Sequence, residues 1–354
     1  MNSFLFTRKR ASTRSLILWA ASALVLTPVW GQTPADSSTN SAASPTAPAV
    51  ATPPPVNTPP PPPSAYVPSG YTEVFGDEFN GPSLDTSKWW TRFIYNNGKL
   101  DFLNDEKQRY RENDNHVFAD GSLQLTARKV DDPNMAKPAH YESGMVRSKM
   151  TFKYGYFEAR VKMPPGIGMW PAFWLNSDSS PDGKVNWPPE VDVFEFVNNG
   201  KEDKTTMFHM GAVSHKLKDG TPGPWGGDLL SSDSHVSMLK GSGGEYSGTT
   251  DFTQDYHVFG LLWDTDDTVT WFLDGTPLMK RSYKWVYTNG TDAPNAHVLL
   301  NLAMGGQWAG RHGIDDSKFP QSFDVDYLRV YQKTGEEKTG QSTIGQDLYH
   351  APSP

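Results

Sequence analysis

Short runs of alternating apolar and polar residues constrain the fold of this chain more than any other feature. Residues 122–127, 156–161 and 269–273 are examples, and clusters of Gly, Pro, Asn and Asp separate such runs. A period of two is typical of β-strands that have one buried face. From residue 71 onward no long segment has apolar residues at helical spacing, which argues against a parallel sheet wrapped in helices. The pattern therefore predicts an all-β fold, an antiparallel sandwich of Greek-key or jelly-roll type.

The first 69 residues have a different composition. Basic residues at positions 8, 9, 10 and 14 precede an apolar run over residues 16–29, which is the layout of a signal peptide with cleavage expected after Gly31. Residues 32–69 are rich in Pro, Ala, Ser and Thr and predict an extended, semi-rigid linker. An uncleaved membrane anchor and a polyproline ligand for a partner protein stay open as alternatives.

The predicted organisation is a signal peptide at 1–31, a linker at 32–69, one folded domain at 70–333 and a flexible C-terminal tail at 334–354. Residues 218–250 are rich in Gly and Ser and predict a long surface insertion near a binding face, or a mobile loop. The signal peptide indicates a secreted or periplasmic protein that has no stable membrane insertion after cleavage.

Charge and cysteine content exclude several classes of protein. The 354 residues carry a formal net charge of -8 and include no cysteine. Without disulfides, an exported domain must be stabilised by a sizeable core. The Lys and Arg residues are scattered rather than clustered, so we expect no nucleic-acid partner, and a polyanionic polymer is a less suitable substrate. We expect a monomer.

Three carboxylates lie close together in Glu190-Val191-Asp192-Val193-Phe194-Glu195. Because side chains alternate along a strand, Glu190 and Asp192 share one face while the two valines point into the core. Glu195 is out of phase with them. One extra residue, a β-bulge at Val193-Phe194, would bring Glu195 onto the same face. We therefore predict a bulge there and three carboxyl groups in a row.

Such a row suits cleavage of a glycosidic bond. The Cα atoms of Glu190 and Glu195 would lie roughly 13 Å apart, and inward-leaning side chains would bring the carboxyl groups to about 5 to 5.5 Å, the separation of retaining glycosidases. Asp192 would orient the nucleophile and share a proton. Geometry leaves open which glutamate attacks. The alternatives are a solvated acidic strand and a calcium site.

Two tryptophans accompany the carboxylates. Trp170 and Trp174 are four residues apart and share one strand face, while Phe173 faces the core. Sugar rings stack on indoles, so both are candidate substrate contacts. The structural alternative is a pair of interior tryptophans in a large sandwich.

These features together resemble glycoside hydrolase family 16 from about Tyr71 to Lys333. The resemblance rests on several segments in the family's order, which are residues 74–80, 154–160, 168–174, 190–195, 301–308 and 325–332. It implies a concanavalin A-like jelly-roll β-sandwich of two antiparallel sheets with a concave substrate cleft. The family's signature Glu-x-Asp-x-x-Glu, in its bulged, laminarinase-like subgroup, implies Glu190 as nucleophile, Asp192 as its assistant and Glu195 as acid/base.

The resemblance also implies further contacts. Residues 104–110 are similar to a laminarinase-like segment that makes Asn104 a candidate sugar ligand, with an ordinary loop Asn as the alternative. His209 lies on the strand expected after the catalytic one, and Trp308 is placed to wall a subsite. Each has an interior structural role as its alternative. Two departures, Met145 where Arg is common and Phe196-Val197 after Glu195, point away from laminarin itself.

No cofactor is expected for catalysis. Many family members hold a structural calcium ion, which the resemblance places at Asp326 with backbone groups near Glu78 and Gly121.

The leading hypothesis is a retaining endo-β-glycanase that hydrolyses β-1,3- or mixed β-1,3/1,4-linked glucan, or a related bacterial exopolysaccharide. The alternatives are a transglycosylase on the same polymers and a non-catalytic carbohydrate-binding jelly roll. Sulfated galactans would need cationic residues in the cleft, for which Arg109 and Arg147 are candidates.

Overall fold

Two large β-sheets account for almost all the regular structure in the computed structural model, which describes residues 64–112, 114–130, 140–213, 227–229, 235–239, 243–287 and 289–351. The strands, β1 to β21 in chain order, are Tyr71–Asp77, Trp89–Trp90, Gln108–Tyr110, His116–Ala119, Ser122–Lys129, Tyr141–Ser143, Met145–Ser148, Met150–Phe152, Gly155–Lys162, Met169–Ser177, Glu190–Glu195, Met207–Val213, Gly227–Leu229, Val236–Leu239, Gly243–Ser247, His257–Asp264, Thr268–Leu273, Thr276–Ser282, Ala296–Met304, Gln321–Lys333 and Thr339–Gln341.

Helical structure in the described residues is limited to two short turns. The first, α1, covers Tyr95–Gly98, but Asn96 and Asn97 have φ of 52° and 55°, so it is a turn rather than a continuing helix. A 3₁₀ turn covers Asp316–Lys318.

The two sheets differ in which strands they contain. The outer sheet has the order β13-β18-β17-β16-β9-β20-β5-β6-β3, with β1 also on β20 and β4 also on β5. The site sheet has the order β14-β15-β12-β11-β10-β19-β7-β2, with β8 on β19 and β21 on β8. Within the described ranges every strand pair is antiparallel except β3 with β6. The predicted antiparallel sandwich is confirmed.

The main hydrophobic core lies between these sheets, and strand alternation decides which side chains enter it. On β10, Met169, Phe173 and Leu175 belong to the main core. Trp170 and Trp174 alternate with them and belong to separate small clusters. The face of the site sheet that carries these two tryptophans is called the site face below. The predicted separation of Phe173 from the tryptophans is confirmed.

The predicted insertion at 218–250 contributes strands rather than only a loop. Among its described residues, β13 pairs with β18, while β14 and β15 extend the site sheet beyond β12. Glycine is needed here because a Cβ on Gly243 would collide with the carbonyl oxygen of Met210. The Gly-rich composition that suggested a loop therefore allows close strand packing.

The prediction of a flexible tail from residue 334 is wrong for residues 334–351. β21 pairs with β8, and the ring of Tyr349 enters the main core at 6% exposure. The backbone oxygen of Ile344 accepts a hydrogen bond from Arg147 at 2.7 Å, and Asp347 accepts one from the Trp90 indole at 3.0 Å. A polar composition indicated solvent exposure, but a single buried aromatic ring and a paired backbone are enough to hold the segment.

The predicted signal peptide and most of the predicted linker, up to residue 63, lie outside the described residues. No helix within the described ranges is long and apolar enough to cross a membrane.

We expect Tyr349→Ala to lower the free energy of unfolding by about 3 kcal/mol, because it removes a large core side chain and leaves a cavity. The measurement is chemical denaturation of the purified protein. Leu348→Ala is the matched control, since Leu348 is 39% exposed and should change stability by less than about 0.5 kcal/mol. Equal effects of the two substitutions would contradict the buried position of the tail.

Candidate active site

A backbone irregularity on β11 places the three carboxylates. Phe194 pairs with Phe173 of β10, but the next residue of β10, Trp174, pairs with Asp192, so Val193 is the extra residue. The pairing with β12 shifts over the same stretch, between Asp192 and Glu195. This is the bulge that strand parity predicts.

The bulge changes which side chains point into the core. Val191, Val193 and Phe194 all belong to the main core, although the last two are adjacent in sequence. Two consecutive residues therefore point the same way, and Glu195 returns to the face of Glu190 and Asp192. The structure thus brings the three predicted catalytic residues together on the site face.

Glu190 is held from both its side chain and its backbone. The indole Nε1 of Trp187 donates to its Oε2 at 3.0 Å. The hydroxyl of Tyr283 accepts from its backbone N–H at 3.2 Å and contacts its carbonyl oxygen at 3.0 Å. Both partners fix the position from which this carboxylate faces the site.

Glu195 has a different environment. The indole Nε1 of Trp170 donates to its Oε1 at 3.2 Å. His209, on the neighbouring strand β12, is paired with Glu195 in the strand register. His209 in turn contacts Oδ1 of Asp203 through Nε2 at 2.7 Å. Glu195 therefore lies beside an ionisable imidazole, which Glu190 does not.

Asp192, between them, is the most enclosed of the three at 8% exposure. Its backbone oxygen accepts a hydrogen bond of 2.7 Å from Nε1 of Trp271, which reaches across the core from the outer sheet. This contact fixes the strand next to the bulge.

Burial raises the pKa of all three carboxyl groups, because their charged forms are poorly solvated. For Glu190, desolvation comes first, the charge of Glu195 adds to it and the Trp187 hydrogen bond opposes it, giving a pKa of about 8. The pKa of Asp192 is raised by burial first and then by the charges of both glutamates. At Glu195, burial raises the pKa, while the charge of His209 and the Trp170 hydrogen bond oppose that rise. The cluster therefore retains a proton near neutral pH, as an acid/base pair requires.

A fourth carboxyl group, Glu106, lies near this cluster. Its Oε2 accepts hydrogen bonds from Nε2 of Gln108 at 2.6 Å and from the backbone N–H of Leu103 at 3.3 Å. Burial raises its pKa to about 8, and the charges of Asp105 and Glu195 contribute to the rise. The acidic site is thus larger than the motif on β11.

The predicted aromatic contacts are more buried than a free stacking surface would be. Trp174 is 7% exposed, packs against Phe93 at 5.9 Å and donates its Nε1 to Oδ1 of Asn301 at 2.7 Å. Trp170 is 4% exposed and bonds Glu195. A structural role as interior tryptophans accounts for these contacts, and the stacking of sugar rings on Trp170 and Trp174 stays a prediction.

The other predicted substrate ligands fall into two groups. His209 and Trp308 contact each other at 4.9 Å between ring centroids, and Trp308 lies edge-on to Trp170 at 5.3 Å, so these belong to the Glu195 side of the site. Asn104 is exposed, with φ of 49°, in the loop that holds Glu106. Its role as a sugar ligand stays a prediction.

The residues predicted to hold calcium are engaged by arginines. Arg160 donates to Asp326 at 2.6 Å, and Arg329 forms a bidentate pair with Glu78 at 2.7 and 2.8 Å. Gly121 lies in the turn before β5. No group of three or more metal-ligating side chains occurs in the part of the chain that the structure describes. Asp326 and Glu78 thus already have cationic partners, and the calcium site stays a prediction.

Sequence reasoning missed four residues of this site: Trp187, Glu106, Asp203 and Tyr283. Trp187 stands three residues before Glu190, and Glu106 lies in the segment that singled out Asn104, so both had a local signal. Asp203 lies in the loop that follows β11, six residues before His209, but no pattern in that loop marked it. Tyr283 had no local signal, because it is 93 residues from Glu190 in the sequence.

The chain is similar to known proteins over about three quarters of its length. A family model described as the GH16 domain of β-porphyranases A–D matches residues 71–333. The chain is 31% identical over 287 residues to glucan endo-1,3-β-glucosidase A1 of Niallia circulans, which covers 75% of this chain and 38% of that protein. It therefore spans well under two thirds of that relative's length.

Two further similarities cover most of both chains. The β-glucanase of Rhodothermus marinus is 30% identical over 275 residues, covering 73% of this chain and 84% of that protein. The crystal structure of a non-specific endo-β-1,3(4)-glucanase from family GH16 superposes with a TM-score of 0.58 at 29% identity, covering 75% of this chain and 93% of that one. The predicted jelly-roll fold class is confirmed.

The raised pKa of Glu106 predicts a loss of stability as pH rises. A carboxyl group that binds its proton more tightly when folded makes the free energy of unfolding fall between its unfolded and folded pKa values, here from 4.5 to about 8. In the Glu106→Gln protein this side chain is neutral at every pH. The decrease in the free energy of unfolding between pH 5 and pH 8 should therefore be smaller than in the parent by about 1 kcal/mol or more, as measured by denaturation.

The control for this measurement is Glu336→Gln, which removes an exposed glutamate paired with Lys333. We expect it to leave the slope unchanged. A Glu106→Gln protein with the parent's pH dependence would show that Glu106 is ionised in the folded state.

Proposed function

The chain belongs to glycoside hydrolase family 16, and we propose that it is a retaining endo-β-glycanase that cuts β-1,3- or mixed β-1,3/1,4-linked glucan, or a related bacterial exopolysaccharide, by double displacement. The observation that carries this proposal is the bulge at Val193, which sets Glu190, Asp192 and Glu195 on one face. A surface sugar-binding domain has no need of three crowded carboxyl groups with raised pKa values.

In the first step Glu190 attacks the anomeric carbon while Glu195 gives its proton to the leaving glycosidic oxygen. The bond to the leaving sugar breaks, and an ester between Glu190 and the sugar forms. The Trp187 hydrogen bond and the two Tyr283 contacts hold Glu190 during attack. Attack requires Glu190 to be ionised and Glu195 to be protonated, so the proton that the clustered carboxyl groups retain must lie on Glu195 when the bond breaks. The assignment of the two roles follows the family motif.

In the second step Glu195, now ionised, takes a proton from a water molecule that attacks the anomeric carbon. The ester breaks, Glu190 leaves as a carboxylate, and the product keeps its β configuration. A transglycosylase would use a sugar hydroxyl in place of water, with the same residues.

Asp192 supports both steps through charge. It lies between the two glutamates on the site face, and its pKa is raised by burial first and then by both neighbours. A proton held by Asp192 lowers the repulsion when Glu190 is ionised, and it can be shared as charge moves between the glutamates.

The charges of the site favour a neutral polysaccharide. A porphyran-type galactan is the second candidate, because the matching family model is that of β-porphyranases. Sulfate groups would need cations in the cleft, but Arg147 is fully buried and bonds backbone oxygens of Arg92 and Ile344. Arg109 pairs with Asp101 at 3.1 Å. With Glu106 beside the catalytic carboxylates, these contacts support a neutral glucan.

We also propose that the protein acts outside the cytoplasm as a monomer. The basic and apolar segments over residues 8–29 support export, and the Pro-rich stretch that follows supports an extended linker in front of the catalytic domain.

The direct test is to incubate the protein with laminarin, lichenan, a bacterial β-glucan exopolysaccharide, agarose, carrageenan and porphyran. We expect cleavage of one or more of the neutral glucans, with the β-anomer as the first product in NMR spectra. Glu190→Gln should lower kcat by at least about a thousandfold, since the nucleophile is lost. Failure to cut any polymer, or an active Glu190→Gln protein, would refute the mechanism. Preferential cutting of porphyran would refute the proposal that the substrate is a neutral glucan.

The contact between Trp187 and Glu190 gives a separate test. Trp187→Phe keeps an aromatic ring but removes the donor to Oε2, and we expect kcat/KM on the best glucan to fall about tenfold or more. The matched control is Trp90→Phe, which removes an indole donor to Asp347 in the C-terminal segment and should keep the parent's kcat/KM. Equal losses in both variants would mean that Trp187 only stabilises the fold.

A further inference from the structure

Asp203 is a carboxylate of the site that no motif accounts for. It is 6% exposed and lies in the loop between β11 and β12. Its Oδ1 contacts Nε2 of His209 at 2.7 Å, and its Oδ2 accepts from Nε1 of Trp308 at 3.2 Å. Each oxygen of this carboxylate therefore faces a different side chain of the site.

The loop itself holds Asp203 in place. Nδ2 of Asn199 donates to Oδ2 of Asp203 at 2.7 Å, and Oδ1 of Asn199 accepts from the backbone N–H groups of Lys201, Glu202 and Asp203 at 3.0 to 3.1 Å. Asn199 is fully buried. A carboxylate fixed in this way orients its partners rather than following them.

Two routes connect Asp203 to Glu195. The first is His209, which pairs directly with Glu195 across the strands and whose charge lowers the pKa of Glu195 against the effect of burial. The second is Trp308, which packs edge-on against Trp170, and Trp170 donates to Glu195 at 3.2 Å. Both routes end at the residue to which the proposed mechanism gives the acid/base role.

Asp203 also decides which nitrogen of His209 carries the proton. A carboxylate can only accept, so a neutral ring must place its hydrogen on Nε2. Nδ1 is then left as an acceptor, and it has no hydrogen bond within the described residues. When the ring is protonated, the negative charge of Asp203 balances it.

We propose that Asp203 is a positioning residue for the acid/base Glu195: it fixes the tautomer and charge of His209 and the position of the Trp308–Trp170 pair. This role rests on the proposed function, because it assigns proton transfer to Glu195. Glu190, Asp192 and Glu106 are the other ionisable groups around Glu195, and all three stay unchanged when Asp203 alone is replaced.

The sharpest test is Asp203→Asn, since the loop dictates how an amide must sit there. Two donors, from Trp308 and Asn199, converge on the Oδ2 position, so the amide oxygen must occupy it and the NH₂ group must face His209. The NH₂ group then donates to Nε2 and forces the hydrogen to Nδ1. NMR spectra of the ring nitrogens should show the Nε2–H tautomer in the parent and the Nδ1–H tautomer in the variant.

Kinetics give the second readout. Asp203→Asn should lower kcat on a glucan about tenfold or more with a smaller change in KM. The loss should shrink on aryl glycosides whose leaving groups need no proton. Asp203→Glu, which keeps the carboxylate, should retain more of the parent's kcat than Asp203→Asn.

The matched control is Glu202→Gln, which removes a charge one residue away. Glu202 is exposed and contacts His312 rather than the site. It should keep the parent's kinetics and ring tautomer. Parent-like kinetics for Asp203→Asn, or an equal loss with every leaving group, would overturn the proposal, as would an unchanged tautomer. If the parent cuts no glycan, the proposed function fails, while the NMR result still decides the effect on His209.

Discussion

Crowding of carboxyl groups on β11 is the constraint on which the rest of the site depends. Negative charges that share one short strand face repel each other, and burial adds to the free-energy cost of ionising any of the carboxyl groups. The chain meets this cost by giving each group different partners: Trp187 for Glu190, and Trp170 and His209 for Glu195. The result is a set of similar side chains with different tendencies to hold a proton, which is what a two-step displacement needs.

The bulge makes that crowding compatible with a stable sandwich. If Val193 paired regularly, strand alternation would turn Glu195 into the core and Phe194 out of it, whereas Phe194 now packs in the core against Phe259 at 4.5 Å between ring centroids. A bulge weakens local strand pairing, and the contacts from the opposite sheet compensate for it. Trp271 bonds the backbone oxygen of Asp192, and Tyr283 bonds the backbone at Glu190. The outer sheet thus contributes to catalysis without supplying a reacting group.

The all-β fold and the shared face of three carboxylates could be predicted because both follow from local patterns. Alternation with a period of two marked the strands, and the parity of Glu190, Asp192 and Glu195 required a bulge. The C-terminal tail was predicted wrongly, and the strands within the Gly-rich segment were not predicted, because composition describes a segment in isolation. The hydroxyl of Tyr349 accepts a hydrogen bond from the backbone of Leu84, 265 residues away, and β15 pairs with residues of β12 that lie 32 to 40 positions earlier.

The sequence by itself determined the all-β class, the carboxylates on one strand and the need for an irregularity among them, since all follow from residue spacing along one chain segment. Only the tertiary structure decided which groups surround those carboxylates. Glu106, Asp203 and Tyr283 reach the site from separate segments, and Trp174 proves to be buried among Phe93, Tyr110 and Leu299. Proton affinity and solvent exposure depend on neighbours in space, and periodicity gives the face of a side chain but not what covers it. For this protein the sequence therefore predicted three carboxylates on one strand face, and the folded structure set their environments.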